Sequence, residues 1–363
     1  MLGRCLVGVA AAVSVTVAVT ACGGSASRPA GPAKAPGGEA AAAFLSRYVT
    51  SDGRVLRHDQ GGDIVSEGQA YAMLIAESAD RPEQARTIWQ WTKAHLRRAD
   101  GLLAFHASGT GAVLDDSPAS DADTLAAYAL LRYRGSGQSE LHADGAGLAR
   151  AVLHAETVDS GGAPVLIAGT WATGPPATVN PSYWMPGVFT ALARLTGSEA
   201  WRELATTTEA LLAQVTDGGR TLPPDWAQLQ AGRLTPVAAP DGSAGVRYGL
   251  DAARLPLWLA SSCDTPARTL AAAWWRNVLS QQDRAAAMAL GLNGDPIDSS
   301  TNPVPLLAAA AAADAAGDRN RSSALRQRAS AQVRAAPTYY GDAWLALDQA
   351  LQHKTLDPCH ESR

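Results

Sequence analysis

The sequence predicts an all-α fold of about a dozen helices arranged in a ring. Apolar or Ala-rich residues recur at helical spacing from residue 39 onward, whereas strand patterns are sparse. Helix-starting residues precede many of these segments, for example Asp80-Arg81-Pro82 and Asn302-Pro303. The predicted helices are Glu39–Val49, Glu67–Ala79, Pro82–Arg98, Ala122–Tyr133, Gly145–His154, Pro181–Leu195, Ser198–Val215, Leu250–Ala260, Pro266–Leu279, Pro303–Ala316, Arg321–Arg334 and Gly341–Gln352.

Paired helices in this number can form an open solenoid or a closed toroid. Solenoids are built from repeats of fixed length, and no fixed period links these helix pairs. The pattern therefore favours a toroid, although helical periodicity alone does not decide between the two.

The N-terminus has the pattern of a lipoprotein export signal. Arg4 precedes an uncharged apolar run to Thr20, and small residues precede Cys22 as in a bacterial lipobox. Residues 1–21 are predicted to be a signal peptide and Cys22 the lipidated first residue; the alternative is an ordinary cleavage site near Cys22. Residues 22–38, rich in Ala, Gly, Pro and Ser, are predicted to be a flexible linker. Residues 39–363 then form one extracytoplasmic domain, anchored to the membrane by lipid alone.

Charge and cysteine content limit the partners and the compartment. A formal net charge of −4 without a basic stripe argues against nucleic acid and is compatible with a neutral polymer. Outside the export segment only Cys263 and Cys359 remain. In an oxidising compartment they are predicted to form a disulfide, with two free thiols as the alternative.

Several common chemistries lack their motifs in this sequence. There is no Gly-x-Ser-x-Gly elbow, His-Glu-x-x-His pair, Cys-x-x-Cys pair or phosphate loop, and the seven His residues are scattered. We therefore expect no metal and no cofactor.

Ser66-Glu67-Gly68-Gln69 places one carboxylic acid among small and apolar residues at a predicted helix start. Desolvation raises the pKa of such a carboxyl, and a Glu that stays protonated near neutral pH can protonate a leaving oxygen. The alternative is that Ser66 caps the helix and Glu67 merely favours its positive end.

A second acidic motif, Ala119-Ser120-Asp121-Ala122-Asp123, also leads into a predicted helix. Carboxylates at positions i and i+2 cannot face the same way on a regular helix. One of the two is therefore expected to cap the helix while the other enters a cleft; capping alone is the alternative for each.

Further motifs with polar residues are Asn180-Pro181-Ser182-Tyr183, Pro223-Pro224-Asp225-Trp226, Tyr248-Gly249-Leu250-Asp251-Ala252-Ala253-Arg254 and Tyr339-Tyr340. In the third of these, Arg254 lies three residues after Asp251, a spacing that allows the two to pair. The alternative for that pair is an ordinary surface ion pair.

Together these motifs resemble the signatures of glycoside hydrolase family 8, whose members are cellulases, xylanases and chitosanases on an (α/α)6 barrel. The resemblance runs from about residue 40 to about residue 350 and includes segments similar to the bacterial cellulose-synthesis cellulases. It implies a single-domain (α/α)6 barrel, with the active cleft formed by loops at one end.

The resemblance also implies roles for individual residues. Glu67 would be the general acid and Asp251 the general base of an inverting hydrolysis, which needs one protonated and one ionised carboxyl. Asp121, with Asp123 beside it, would orient the sugar, and Tyr183 would lie near the reaction centre. Leu250 departs from the pattern, because the family usually has Tyr before the base. The nearby Tyr248 stands two residues too early to replace it simply, and Tyr248 and Arg254 complete the candidate substrate-binding set.

Ten Trp accompany only three Phe, a bias that suits carbohydrate because indole faces stack on pyranose rings. Trp171, Trp184 and Trp226 lie in or beside predicted loops, and they are the candidate stacking platforms. Core packing is the alternative for each.

These observations predict a monomeric, exported endo-β-1,4-glucanase that acts on a β-1,4-linked polysaccharide. Chitosan and xylan are alternative substrates on the same scaffold. Asp115 and Asp116, near the second acidic motif, would suit the cationic sugars of chitosan. A catalytically weak polysaccharide-binding lipoprotein is the alternative from another class.

Overall fold

The computed structural model describes residues 38–281 and 284–360. The predicted signal peptide and Cys22 lie outside these residues. Within the described ranges, no helix combines the length and the apolar character needed to cross a membrane. The α-helices of the described chain are α1 Gly38–Tyr48, α2 Ser66–Ser78, α3 Pro82–His95, α4 Ser120–Arg132, α5 Gln138–Ala155, α6 Pro186–Thr196, α7 Glu199–Val215, α8 Leu255–Ser261, α9 Thr265–Trp274, α10 Pro303–Ala315, α11 Arg319–Ala335 and α12 Tyr339–Gln352.

Six of these helices form a closed inner ring. Each even-numbered helix from α2 to α10 packs against the next even-numbered one, and α12 packs back against α2. The odd-numbered helices pack outside this ring, each against one or two inner helices. The arrangement confirms the (α/α)6 barrel.

Burial differs between the two layers and explains their sequences. In the inner helix α10, every residue from Val304 to Ala313 is buried, so an Ala-rich segment that is apolar on all sides suits its place. The outer helix α11 buries only one stripe, formed by Ser322, Leu325, Ala329 and Val333. The inner helices need small side chains because neighbouring helices enclose them.

The lengths of the connections between helices distinguish the two ends of the barrel. Each inner helix from α2 to α10 is joined to the following outer helix by a loop of two to five residues. Helices joined by such short loops run antiparallel, so successive inner helices run parallel and their N-termini meet at one end. Most connections that lead into inner helices are far longer, and all strands of the described chain lie in them.

Those long connections form four small antiparallel sheets, more strand than the sequence patterns predict. The strands are β1 Ile64–Val65, β2 His106–Ala107, β3 Val113–Asp115, β4 Thr157–Asp159, β5 Pro164–Leu166, β6 Ala177–Val179, β7 Trp226–Gln230, β8 Arg233–Val237, β9 Ala287–Leu290 and β10 Pro296–Thr301. Two of the sheets have three strands, β1-β2-β3 and β6-β7-β8. They stiffen the loops around the N-termini of the inner helices.

Several predicted helices differ from the observed ones in their bounds. The helix predicted as Gly145–His154 starts earlier, at Gln138, and the one predicted as Pro82–Arg98 ends at His95. The segments predicted to start at Pro181 and Leu250 begin as 3₁₀ turns, Pro181–Tyr183 and Ala252–Arg254, and the α-helices start later. The predicted helix Pro266–Leu279 ends in one π-helical turn, Trp275–Leu279. Both 3₁₀ turns belong to motifs with polar residues, where local hydrogen bonds compete with regular helix formation.

Candidate active site

Polar residues from five motifs meet at the N-terminal end of the inner ring. Glu67 lies in the first turn of α2 and Asp121 in the first turn of α4. Tyr183 ends the 3₁₀ turn before α6, Asp251 precedes the turn before α8, and Tyr340 lies in the first turn of α12. The charges of Glu67, Asp121 and Asp251 all raise the pKa of both tyrosines, so the three carboxyls lie near each other at this end of the barrel.

Glu67 has the environment of a proton-holding carboxyl. Its side chain is half-buried, and in the described part of the chain its Oε2 has no hydrogen-bond partner. Burial raises the pKa of Glu67 to about 8, and the neighbouring charge of Asp121 adds to the rise. Ser66 does not cap the helix, because its hydroxyl is also unpartnered among the described residues.

Asp121 is held by a buried arginine. Arg254 Nη1 donates to Asp121 Oδ2 across 2.9 Å, and the side chains are 5% and 3% exposed. The same guanidinium donates to the Tyr71 hydroxyl at 3.0 Å and to Ser182 Oγ. Burial raises the pKa of Asp121, and the adjacent positive charge of Arg254 opposes that rise. The alternative of a surface ion pair for Arg254 is therefore wrong, and it contacts protein groups in place of the predicted sugar.

Asp123 does not share the cleft with Asp121. It is fully buried, its Oδ1 accepts from the Leu103 backbone amide at 2.9 Å, and burial raises its pKa well above the usual range. Neither carboxylate caps α4 through its side chain in the described structure, contrary to the sequence expectation. The i, i+2 spacing turns Asp123 into the protein interior, which contradicts its predicted contact with substrate.

Asp251 keeps an accessible carboxylate between two donors. Its side chain is 38% exposed. Asn180 Nδ2 donates to Oδ2 at 3.1 Å, and Arg254 Nη2 lies 3.4 Å from Oδ1. Arg254 thus does pair with Asp251, as the spacing predicted, although its shorter bond goes to Asp121.

Several residues of this network were not assigned from the sequence. Asn180 and Ser182 stood inside a recognised motif, but only its tyrosine was given a role. Ser182 donates to Asn180 Oδ1 at 2.6 Å and so orients the amide that reaches Asp251. Tyr340 donates to the Leu250 carbonyl at 3.2 Å, beside Asp251. Tyr71, the aromatic residue that follows the Ser66–Gln69 motif, was given no role of its own.

A cleft of about 450 Å³ opens beside Asp251. Its aromatic lining consists of Tyr183, Trp226, Trp171 and Phe105. The Trp226 ring lies 6.3 Å from those of both Trp171 and Tyr183, measured between centroids. Trp171 is 48% exposed, so indole faces are available to a ligand in this cleft.

Two predicted substrate contacts are wrong. Trp184 is fully buried, and its indole nitrogen donates to the Leu166 carbonyl at 2.9 Å, so it is a core residue. Tyr248 is also buried, with a hydroxyl that has no partner among the described residues, and its backbone pairs with Leu290. Both side chains pack inside the protein behind the cleft surface.

The remaining predicted features lie away from this cleft. Cys263 and Cys359 form a disulfide with a Cα–Cα distance of 5.2 Å, which ties the C-terminal segment to the α8–α9 connection. The described residues contain no cluster of three or more His, Cys, Asp or Glu side chains arranged to hold a metal ion.

Comparison with known proteins identifies one family. The model of glycosyl hydrolases family 8 matches residues 17–353. An endoglucanase of Cellulomonas uda is 31% identical over 239 residues, which cover 64% of this chain and 65% of that protein. The chain thus spans just under two thirds of the length of this curated relative.

Solved structures show the same fold. The endo-β-1,4-glucanase of Acetobacter xylinum superposes with a TM-score of 0.72 at 24% identity, covering 89% of this chain and 99% of the other. The β-1,3-1,4-glucanase of Paenibacillus sp. X4 gives 0.76 at 21% identity, covering 88% and 91%.

Proposed function

The chain belongs to glycoside hydrolase family 8, and on that premise we propose that it is an inverting endo-β-1,4-glucanase with Glu67 as general acid and Asp251 as general base. The observation that carries this proposal is the contrast between the two carboxyls. Glu67 is desolvated, with a raised pKa, whereas Asp251 is accessible and accepts from two donors. Pairs of carboxyls in such different environments divide acid and base work.

The reaction follows from these environments. Glu67 donates its proton to the glycosidic oxygen as the bond to the anomeric carbon breaks. Asp251 accepts a proton from a water that attacks this carbon from the opposite face, which inverts its configuration. Two products form, and one water is consumed. Return of the proton from Asp251 to solvent and reprotonation of Glu67 complete the cycle.

The other residues hold this arrangement. Arg254 joins Asp121 to Asp251, so Asp121, whose side chain is 3% exposed, helps to hold the base in place. Tyr183, with Arg254 over its ring at 5.2 Å, lies beside the carboxyls as a donor to the sugar or to the water. Trp226 and Trp171 offer stacking surfaces for pyranose rings.

A β-1,4-glucan is the substrate that the relatives favour, since the matched Cellulomonas and Acetobacter proteins are named as an endoglucanase and an endo-β-1,4-glucanase. No cofactor enters this reaction.

A polymer of cationic amino sugars is the second candidate, because the cleft is rich in carboxylates. Asp115, Asp225, Asp241 and Asp251 line it with Arg247 as the single basic lining residue of the described chain. Asp116, the other residue considered from the sequence, is exposed outside this lining. Xylan on the same scaffold, or polysaccharide binding without turnover, are outcomes that the test below separates.

We further propose that the enzyme works outside the cytoplasm as a monomer anchored by a lipid on Cys22. The export pattern of residues 1–21 supports this, as does the Cys263–Cys359 disulfide, because disulfides persist in oxidising compartments.

Reducing-end release from carboxymethyl cellulose, mixed-linkage glucan, xylan and chitosan tests the proposed activity, with Glu67→Gln as the paired variant. We expect activity on the first two polymers that the variant lacks. Activity on chitosan or xylan alone would mean that this polymer, and not a glucan, is the substrate. Binding of glucan without release of reducing ends at any pH would mean that the protein is a binding protein and not a hydrolase.

A further inference from the structure

The segment that carries Asp251 has an unusual cap. Asp251 is the N-cap residue of the 3₁₀ turn Ala252–Arg254, yet its side chain makes no capping hydrogen bond in the described structure. An Asp at an N-cap ordinarily accepts from the backbone amide of the second or third residue of the turn. Here those amides, of Ala253 and Arg254, donate to the Gly249 and Asp251 carbonyls, and the carboxylate accepts from the side chains of Asn180 and Arg254.

Asp225 accepts the backbone hydrogen bonds instead. Its Oδ1 accepts from the amides of Gly249 at 2.8 Å and Ala252 at 2.9 Å, one on each side of Asp251. Its Oδ2 accepts from Arg247 Nε at 3.0 Å, and its own amide donates to the Arg247 carbonyl at 2.8 Å. Three donors from the Arg247–Ala252 segment thus converge on one carboxylate that is only 6% exposed.

The position of Asp225 is itself fixed. It immediately precedes Trp226, the first residue of β7, and β7 is the central strand of the β6-β7-β8 sheet. Pro223 and Pro224 on its other side restrict the backbone before it. The sheet therefore holds the Arg247–Ala252 segment through Asp225.

Gly249 is required for this approach. A Cβ atom built at Gly249 would lie 2.4 Å from Asp225 Oδ2 and 2.8 Å from Arg247 Nε. A side chain at this position would therefore push the carboxylate away from the segment.

We propose that Asp225 is a positioning residue for the reaction, which caps the turn in place of Asp251 and so leaves the Asp251 carboxylate free to face the cleft. This rests on the proposed function, in which Asp251 activates the water. If Asp225 were absent, the amide of Ala252 would lack its acceptor, and the carboxylate of the adjacent residue, Asp251, would be free to replace it. A base that caps its own turn is no longer aimed at a water in the cleft.

The test compares Asp225→Ala, Asp225→Asn and Asp318→Ala in the purified protein. Asp225→Ala is expected to lower kcat on the preferred glucan by about a hundredfold or more with KM within about threefold, because the aromatic side chains that line the cleft are kept. Asp225→Asn keeps an oxygen for the two amides and should recover at least a tenth of the wild-type kcat. Asp318 caps α11 through the Arg321 amide, far from the cleft, so Asp318→Ala loses a cap and should keep its kcat.

Hydrogen exchange provides a readout independent of turnover. In Asp225→Ala the amides of Gly249 and Ala252 should exchange at least tenfold faster than in the wild type, and Asp318→Ala should leave them unchanged. If Asp225→Ala does not fold, Gly249→Ala displaces the same carboxylate and should show the same loss of kcat.

Three results would overturn the proposal: an Asp225→Ala variant with kcat within threefold of wild type, a loss in that variant confined to KM, or unchanged exchange of the two amides. If the wild type cleaves no polysaccharide, the proposed hydrolase fails and the positioning role fails with it. Faster exchange in that case would leave Asp225 as a structural cap alone.

Discussion

Arg254 donates to Asp121 across 2.9 Å with both side chains buried, and its second amino group lies 3.4 Å from Asp251. One cation therefore joins a carboxylate on α4 to a carboxylate before α8, and it reaches Tyr71 on α2 as well. The active-site end of the barrel is assembled around this guanidinium.

Replacement of Arg254 by Met should abolish most activity and destabilise the fold. Removing one partner of a buried pair leaves an uncompensated charge and costs about 3–5 kcal/mol. The variant should lose at least about a hundredfold in kcat, measured together with urea unfolding.

The matched control is Arg326→Met. Arg326 pairs with the buried Asp348 at 2.8 Å, away from the cleft, so this change should destabilise the protein and leave kcat near that of the wild type. Equal kcat losses in both variants would mean that Arg254 acts only through stability.

The activity should fall as the pH rises through the pKa of Glu67. The proton donor is the protonated form, and its folded-state pKa is about 8. The alkaline limb of kcat/KM, which reports the pKa of the free enzyme, should therefore lie near this pH and disappear in Glu67→Gln, whose residual rate should be about 10² to 10⁴-fold lower. A wild-type profile that is flat up to pH 10 would contradict the assignment.

The thermal stability of the protein should also depend on the protonation of Glu67. Because the folded-state pKa of Glu67 is raised above its usual 4.5, the folded state binds more protons than the unfolded state between pH 4.5 and about 8. The contribution of Glu67 is thus fully present below pH 4.5 and is lost as the pH rises through 8. Glu67→Gln should raise the Tm at pH 9 relative to the wild type and leave it nearly unchanged at pH 4.

Trp226 and Trp184 should respond in opposite ways to substitution by Ala. Trp226 lines the cleft, so its loss should raise KM several-fold with a small change in Tm. Trp184 is fully buried, so its loss should cost about 3–5 kcal/mol of stability and leave the KM of the folded fraction near the wild-type value. Titration with a cello-oligosaccharide and thermal unfolding separate these two outcomes.

The disulfide should stabilise the fold without entering the chemistry. Cys263 and Cys359 close a loop with a sequence separation of 96 residues, and removing such a bond costs about 2–5 kcal/mol. The double variant Cys263→Ser/Cys359→Ser should lower the Tm and keep kcat. A Tm that neither reductant nor this variant changes would show that the bond contributes nothing to stability.

Helical periodicity and Ala-rich segments predicted where the twelve helices of the described chain lie, whereas the closed barrel was implied by the family resemblance. The helix predicted from Pro303 to Ala316 is observed from Pro303 to Ala315, since a proline after a capping Asn marks its start. The positions of single side chains in irregular segments could not be predicted as well from the sequence. Trp184 has φ −91° and ψ 113°, an extended conformation that turns its side chain inward although its neighbour Tyr183 faces the cleft.

The motifs identified the main candidate residues of the site but few of the hydrogen bonds that hold them in place. Glu67, Asp121 and Asp251 could be named because each stands at the start of a helix in a recognisable pattern. The bonds from Asp225 to Gly249 and Ala252 join residues 24 and 27 apart, and the bond from Arg254 to Asp121 spans 133 residues. Such contacts follow from the closure of the ring, which local patterns do not encode.

The most direct test of the paired carboxyls is the anomeric configuration of the first product. Proton NMR of cellohexaose during hydrolysis, recorded before mutarotation, should show the α-anomer of the new reducing end, because water attacks from the face opposite to Glu67. Appearance of the β-anomer, or no cleavage by the wild-type protein, would contradict an inverting pair formed by Glu67 and Asp251.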